Sequence, residues 1–202
     1  MTILPMYPTS INEKYMELVI NTLRDGGIII YPTDSLYAIG CNALNNQAIE
    51  RICRIKGINP AKTNLSIICH DISQSAEYAR IDNRAFRIMK DNLPGPFTFL
   101  LPASTTLPKV FKGRKTVGVR IPDNAIAREI ALRMDSPLLT TSIQWDTEDE
   151  AINPESIAMR YSDTVDIVID GGEGGTEPST VIDITDSSNP EIIRQGLGEI
   201  EL

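Results

Sequence analysis

The chain is poor in the residues that build metal centres and redox sites. Its 202 residues hold one histidine, His70, and three cysteines, Cys41, Cys53 and Cys69. One histidine cannot furnish a multi-histidine metal site, and the cysteine spacing matches neither a zinc knuckle nor a Cys-x-x-Cys redox pair. We expect reduced, core-buried thiols and no protein-bound metal. Long apolar runs are also missing, since no stretch approaches the roughly 20 residues of a membrane span. Residues 1–10 carry neither the basic nor the apolar region of an export signal. The expectation is a cytoplasmic protein with no membrane partner. Neither a Gly-x-x-x-x-Gly-Lys-Ser/Thr loop nor a strand-borne Gly-x-Gly-x-x-Gly occurs, which sets aside the common P-loop and dinucleotide-binding classes. Repeats, low-complexity tracts and linkers are absent too, so residues 1–202 are expected to form a single domain. With 42% hydrophobic and 23% charged residues, that domain can bury a core unaided by disulfides.

Charge is present but segregated. The net value of −8 argues against a general nucleic-acid binder. Yet residues 1–50 carry 2 basic and 5 acidic groups, residues 51–133 carry 15 and 6, and residues 134–202 carry 2 and 16. The middle segment either lines an anion site or pairs with its acidic flanks, and composition leaves both open.

Hydrophobic periodicity gives the elements. Ser10-Ile11-Asn12-Glu13 fits a capping box, and Met16, Val19, Ile20 and Leu23 follow at helical spacing before Gly26-Gly27. Further helices are predicted from residue 48 to about 57, at 84–90 and at 124–134. Short β-branched or apolar runs predict strands at 28–31, 65–69, 97–101, 117–121, 138–142, 165–169, 181–184 and 191–194. Residues 145–150 read as an acidic loop, and Gly171-Gly172-Glu173-Gly174-Gly175 as a flexible connection. Interleaved strands and helices define an α/β fold with a mixed sheet.

The segment richest in chemistry is Tyr31-Pro32-Thr33-Asp34-Ser35-Leu36-Tyr37-Ala38-Ile39-Gly40, where hydroxyls crowd the carboxyl end of a buried strand, the place where open α/β sheets bind ligands. This segment resembles the Pro-Thr-Glu-Thr-Val-Tyr-Gly-Leu-Gly motif of the YrdC family, the threonylcarbamoyl-adenylate synthases of tRNA modification. The resemblance continues in order through Ile55-Lys56-Gly57 with Asn64, Leu93-Pro94-Gly95-Pro96-Phe97-Thr98, Thr116-Val117-Gly118-Val119-Arg120-Ile121-Pro122, Thr140-Thr141-Ser142, Pro178-Ser179-Thr180-Val181-Ile182-Asp183 and Arg194-Gln195-Gly196. A series of motifs is far more specific than any one of them.

The resemblance implies a twisted, open mixed β-sheet flanked by helices, with a large concave basic face. It also implies a reaction in which L-threonine, bicarbonate and ATP give threonylcarbamoyl-AMP and pyrophosphate, with Mg²⁺ accompanying ATP, toward t6A modification of tRNA. No side-chain nucleophile is needed, so no catalytic residue is assigned. By motif correspondence Thr33, Arg120, Thr140 and Ser179 would hold threonine, with Arg120 gripping its carboxylate in a bidentate fork. Lys56, Asn64, Thr116, Ser142 and Arg194 would contact ATP. An alternative on the same fold is a module that binds tRNA, double-stranded RNA or nucleotide without turnover, resting on basic residues that include Lys109, Lys112, Arg114 and Lys115.

Three departures stand out. Lys56-Gly57-Ile58-Asn59-Pro60 replaces Lys-Gly-Arg-Pro, leaving Arg54 or Lys62 as substitutes for the missing arginine. Thr141-Ser142-Ile143-Gln144 replaces Thr-Ser-Ala-Asn and runs into Asp146, Glu148, Asp149 and Glu150. Cys69 sits where synthases often carry histidine, with His70 displaced by one place. These features resemble the YciO-like branch of the family and imply an activity that is weak or altered.

Overall fold

The structure, a computed structural model, describes residues 1–111 and 115–202. In chain order the elements are β1 (Thr2–Pro5), α1 (Glu13–Arg24), β2 (Ile29–Tyr31), β3 (Ala38–Asn42), α2 (Asn46–Lys56) and β4 (Ser66–Ile68). Then follow α3 (Ile72–Tyr78), α4 (Asn83–Asn92), β5 (Phe97–Pro102), β6 (Thr116–Arg120), α5 (Ala125–Met134) and β7 (Leu138–Ser142). The chain closes with α6 (Glu148–Ile152), α7 (Pro154–Arg160), β8 (Ile167–Asp170), β9 (Thr180–Asp183) and β10 (Glu191–Arg194). Each helix begins on a side-chain cap from Asn, Asp or Thr that accepts an otherwise orphaned backbone N–H.

All ten strands form one mixed sheet in the order β1-β8-β2-β3-β7-β4-β6-β5-β9-β10. Parallel pairs (β1/β8, β2/β8, β4/β6, β5/β9) occur beside antiparallel ones such as β2/β3, β3/β7 and β5/β6. Side chains alternate across a strand, so the sheet has two distinct faces. One is mainly apolar: Ile30, Ile39, Ile67, Phe99, Val117, Val119, Leu139, Val168 and Ile182 share a core with α2, α4 and α7. The other is layered only in part. There Ile29, Tyr31, Ala38, Ile68, Leu138, Ile167 and Ile169 pack beneath α1 and α5. Strands β5, β6, β9 and β10 give nothing to this second core, so their half of the face lies outside the α1/α5 layer.

Several expectations require correction. Asn12, not Ser10, caps α1, accepting from Tyr15 N at 3.1 Å, while Ser10 is drawn into a bridge with Tyr7. The acidic stretch becomes helical from Glu148 because Thr147 caps it. Strands β1 and β3 and helices α3 and α7 lacked a sequence signal of their own. β3 is short and carries glycine, and β1 gains its place through parallel pairing with distant β8. The glycine-rich run is no flexible connection: a Cβ at Gly174 would lie 2.5 Å from the Tyr37 ring and one at Gly175 2.4 Å from Ser35 O. Glycine is there because two loops press together.

A candidate anion cleft on the uncovered half of the sheet

Strand β6 builds the floor. Val117 and Val119 enter the apolar core, which turns Thr116, Gly118 and Arg120 to the other face. Ser66, Thr98, Leu100, Thr140, Ser142 and Val181 from neighbouring strands line the same cleft of about 230 Å³, together with Ser35, Asn64, Ser179 and Arg194. Gly118 keeps the floor low, since a Cβ there would meet Ser66 Oγ at 2.4 Å and Thr98 Cγ2 at 3.0 Å. Among the described lining residues the charged ones are Arg120 and Arg194, and no carboxylate is present.

Arg120 is only 7% exposed. Its Nη2 donates to Asp34 Oδ1 at 3.0 Å and Ser35 Oγ at 3.1 Å, while its buried Nε has no acceptor. Burial is the main cause of a lowered Arg120 pKa; the Asp34 charge opposes it and that of Arg194 adds to it. Guanidinium nonetheless stays protonated at any physiological pH. Asp34 is fixed in turn by Asp123 N, which donates to Oδ2 at 2.8 Å.

The hydroxyl set is wired from behind. Wholly buried Tyr31 donates to Thr140 Oγ1 at 2.8 Å, crossing β3 at Gly40, where a Cβ would sit 3.0 Å from the phenol oxygen. Burial raises the Tyr31 pKa and keeps it a donor. Thr98 Oγ1 and Ser179 Oγ lie 2.8 Å apart, and Arg194 donates to Ser179 O at 2.7 Å. A register shift between Ile192 and Arg194 re-aims β10 so that Ile193 and Arg194 both reach the cleft. Tyr37 donates to Gly172 O at 2.7 Å, which ties the glycine-rich loop to the loop carrying Ser35.

Of the nine expected site residues, Asn64, Arg120, Thr140, Ser142, Ser179 and Arg194 line the cleft. The other three support it from outside. Thr33 turns inward, donating to Leu36 O at 2.6 Å and accepting from Ser35 N, because its hydroxyl closes the turn after β2. Thr116 donates to Asn64 Oδ1 at 3.1 Å. Half-buried Lys56 donates to Ser142 O at 2.5 Å, and its burial lowers its pKa. Ile58 lines the cleft, whereas Arg54 lies on a separate hollow with Glu50, Cys53 and Gly57. Sequence reading missed Asp34, Ser35, Ser66 and Thr98. Polar residues alternating with apolar ones in Phe97-Thr98-Phe99 were the available signal.

Charge segregation resolves both ways. Arg51 pairs with Asp166, Arg120 with Asp34 and Arg133 with Glu13, while Arg120 of the same segment also lines the cleft. Lys112 and Arg114 of the basic run lie outside the described residues. Trp145 is a partly buried anchor against the apolar core, and His70 Nδ1 sits 3.4 Å from Asp71. No three His, Cys, Asp or Glu side chains gather as a metal-holding group among the described residues, and no helix is long and apolar enough to cross a membrane.

A single mixed sheet flanked by helices, with one half-face left open as a cationic, hydroxyl-rich cleft, defines the class. The family model for Sua5, YciO and YrdC, described as Telomere recombination, matches residues 21–196. This chain belongs to that family. It is 38% identical over 199 residues to YciO of Escherichia coli (strain K12), covering 97% of this chain and 96% of that protein. It is also 33% identical over 208 residues to the threonylcarbamoyl-AMP synthase of Pyrococcus abyssi (strain GE5 / Orsay), covering all of this chain and 60% of that protein. The crystal structure of E. coli YciO superposes with a TM-score of 0.90 over 98% of each chain. That of P. abyssi Sua5 complexed with L-threonine gives 0.87 at 30% identity, over 97% of this chain and 58% of that one.

Proposed function

We propose that the chain is a nucleotidyltransferase of the L-threonylcarbamoyladenylate synthase type, acting on ATP, L-threonine and bicarbonate, with reduced efficiency. The observation that carries this reading is the cleft itself, two arginines and a ring of hydroxyls with no carboxylate among its described lining residues. Relatives named threonylcarbamoyl-AMP synthase support it. In the reaction the threonine amine takes up bicarbonate as a carbamate and releases water. A carbamate oxygen then attacks the α-phosphorus of ATP, and pyrophosphate leaves.

ATP, bicarbonate and the carboxylate end of threonine must meet, so the protein's task is positioning and charge compensation. Arg120, Thr140 and Ser179 hold the amino acid, while Arg194, Asn64, Ser142, Lys56 and Thr116 form the nucleotide side. Mg²⁺ would travel with the ATP phosphates and neutralise part of their charge; the cleft's oxygens are neutral hydroxyls and amides, compatible with a phosphate-held ion. Ile58 in place of the motif's arginine removes one phosphate donor, which is the source of the reduced efficiency. The product suits the t6A modification of tRNA in the cytoplasm.

Incubation with ATP, L-threonine and bicarbonate is expected to release pyrophosphate only when all three are present, and Arg120→Met is expected to lower the rate roughly 100-fold. Silence of the wild-type protein at high concentration excludes the reading.

A further inference from the structure

The segment that follows β10 is pressed against the start of β9. Gly196 N donates to Thr180 Oγ1 at 3.0 Å, Leu197 N to Pro178 O at 2.9 Å, and wholly buried Thr180 Oγ1 to Gly198 O at 2.6 Å. No side chain fits between the two segments: a Cβ at Gly196 would lie 2.2 Å from Pro178 O, and one at Gly198 2.4 Å from the Phe97 ring. Gln195 closes this knot. Its Nε2 donates to Gly196 O at 2.9 Å and Gly198 O at 2.8 Å, and lies 3.4 Å from Thr180 Oγ1. Carbonyls only accept, so they fix which end of the amide faces them. The neighbours of the knot in sequence are residues of the cleft wall. Ser179 precedes Thr180, Arg194 precedes Gln195, and Arg194 Nη2 donates to Ser179 O at 2.7 Å.

We propose that Gln195 is a positioning residue for the cleft. Its amide holds residues 194–198 against the start of β9 and so sets Arg194 and Ser179 on the wall that meets an anionic ligand. An arginine side chain loses much rotamer freedom when it is ordered, and ordering it in advance removes that cost from binding. That the ligand is ATP rests on the synthase reading, but the ordering of Arg194 does not.

Gln195→Met keeps the length of the side chain and removes the donor, at an exposed position where substitution is tolerated. In the ligand-free whole chain, NMR relaxation of the Arg194 Nε–Hε bond is expected to change from rigid to mobile in this variant. Amide exchange at Gly196 and Leu197 should accelerate at least roughly 10-fold, with Val117 and Val119 of β6 unaffected. In the pyrophosphate assay KM for ATP should rise roughly 10-fold with kcat nearly unchanged, a split that a mere loss of stability does not produce. The double variant Arg194→Met, Gln195→Met should bind ATP no worse than Arg194→Met alone, because a residue that acts through Arg194 then has nothing further to lose.

An Arg194 equally rigid in wild type and Gln195→Met overturns the inference. So does ATP affinity that Gln195→Met leaves unchanged, or losses that add in the double variant. A wild type silent to ATP whose Arg194 loosens in Gln195→Met removes the synthase reading and keeps this one. Pyrophosphate release with an Arg194 indifferent to Gln195 does the reverse.

Discussion

Asp34 and Arg120 form the one ion pair among the described residues with both side chains only 9% exposed. Removing one partner of such a pair strands the other charge away from water, whereas replacing both can be almost neutral. Asp34→Asn keeps an acceptor for Asp123 N but not the charge. It is expected to lower stability by about 3 kcal/mol in urea denaturation. The double variant Asp34→Asn, Arg120→Met should recover most of that loss while remaining inactive. A double variant as unstable as the single one would show that Asp34 acts through its turn and not through Arg120. Sequence reading expected Arg120 to grip a ligand carboxylate in a bidentate fork; the structure gives its Nη2 to Asp34 and Ser35 at the cleft floor. The arginine's first partner is a residue 86 positions away, which no local pattern discloses.

At the scale of elements, β6 does two jobs through alternation. Its valines hold the core, and Thr116, Gly118 and Arg120 serve the cleft. Gly118→Ala leaves the strand pairing intact but brings a Cβ to 2.4 Å from Ser66 Oγ, a group at the end of a short, rotatable side chain. We expect a stability loss of about 1–2 kcal/mol. Threonine affinity is expected to fall at least roughly 10-fold, because an ångström of misplacement is costly in a built site. Thermal unfolding and calorimetry on the same sample separate the two effects, and unchanged affinity would place the ligand away from β6. Helices α1, α2, α4 and α5 were legible from apolar spacing, although the α1 cap is Asn12 and not the expected Ser10. Strands β1 and β3 were not, because four and five residues carry little periodicity, and β1 pairs with β8, remote in sequence.

The molecule as a whole buries its thiols. Burial pushes Cys41 and Cys69 up to about 12 from 9.0. A group whose pKa is raised by folding binds more protons folded than unfolded between those values, so its stabilising contribution is complete below pH 9.0 and is lost as pH rises toward 12. Tyr31 and Tyr37, also raised by burial, add the same sign at higher pH. Lys56, lowered by burial, works in the opposite direction just below its ordinary value of 10.5, but it is one group against four. Denaturant midpoints are therefore expected to hold below pH 9 and decline above it, more shallowly in Cys41→Ala. A thiol reagent at neutral pH should find Cys41 and Cys69 inert until the chain unfolds. A flat alkaline profile would contradict this account.

The sequence by itself determined the family, the α/β class, four of the helices and six residues that line the cleft, because apolar spacing and motif order are local properties of the chain. Only the tertiary structure decided that Thr33 faces its own turn, that Asp34 occupies Arg120, and that Tyr31 sets the hydroxyl of Thr140. It also decided where the cleft lies. That place is fixed by the point at which the α1 and α5 layer stops across the sheet, a contest of packing between segments more than a hundred residues apart.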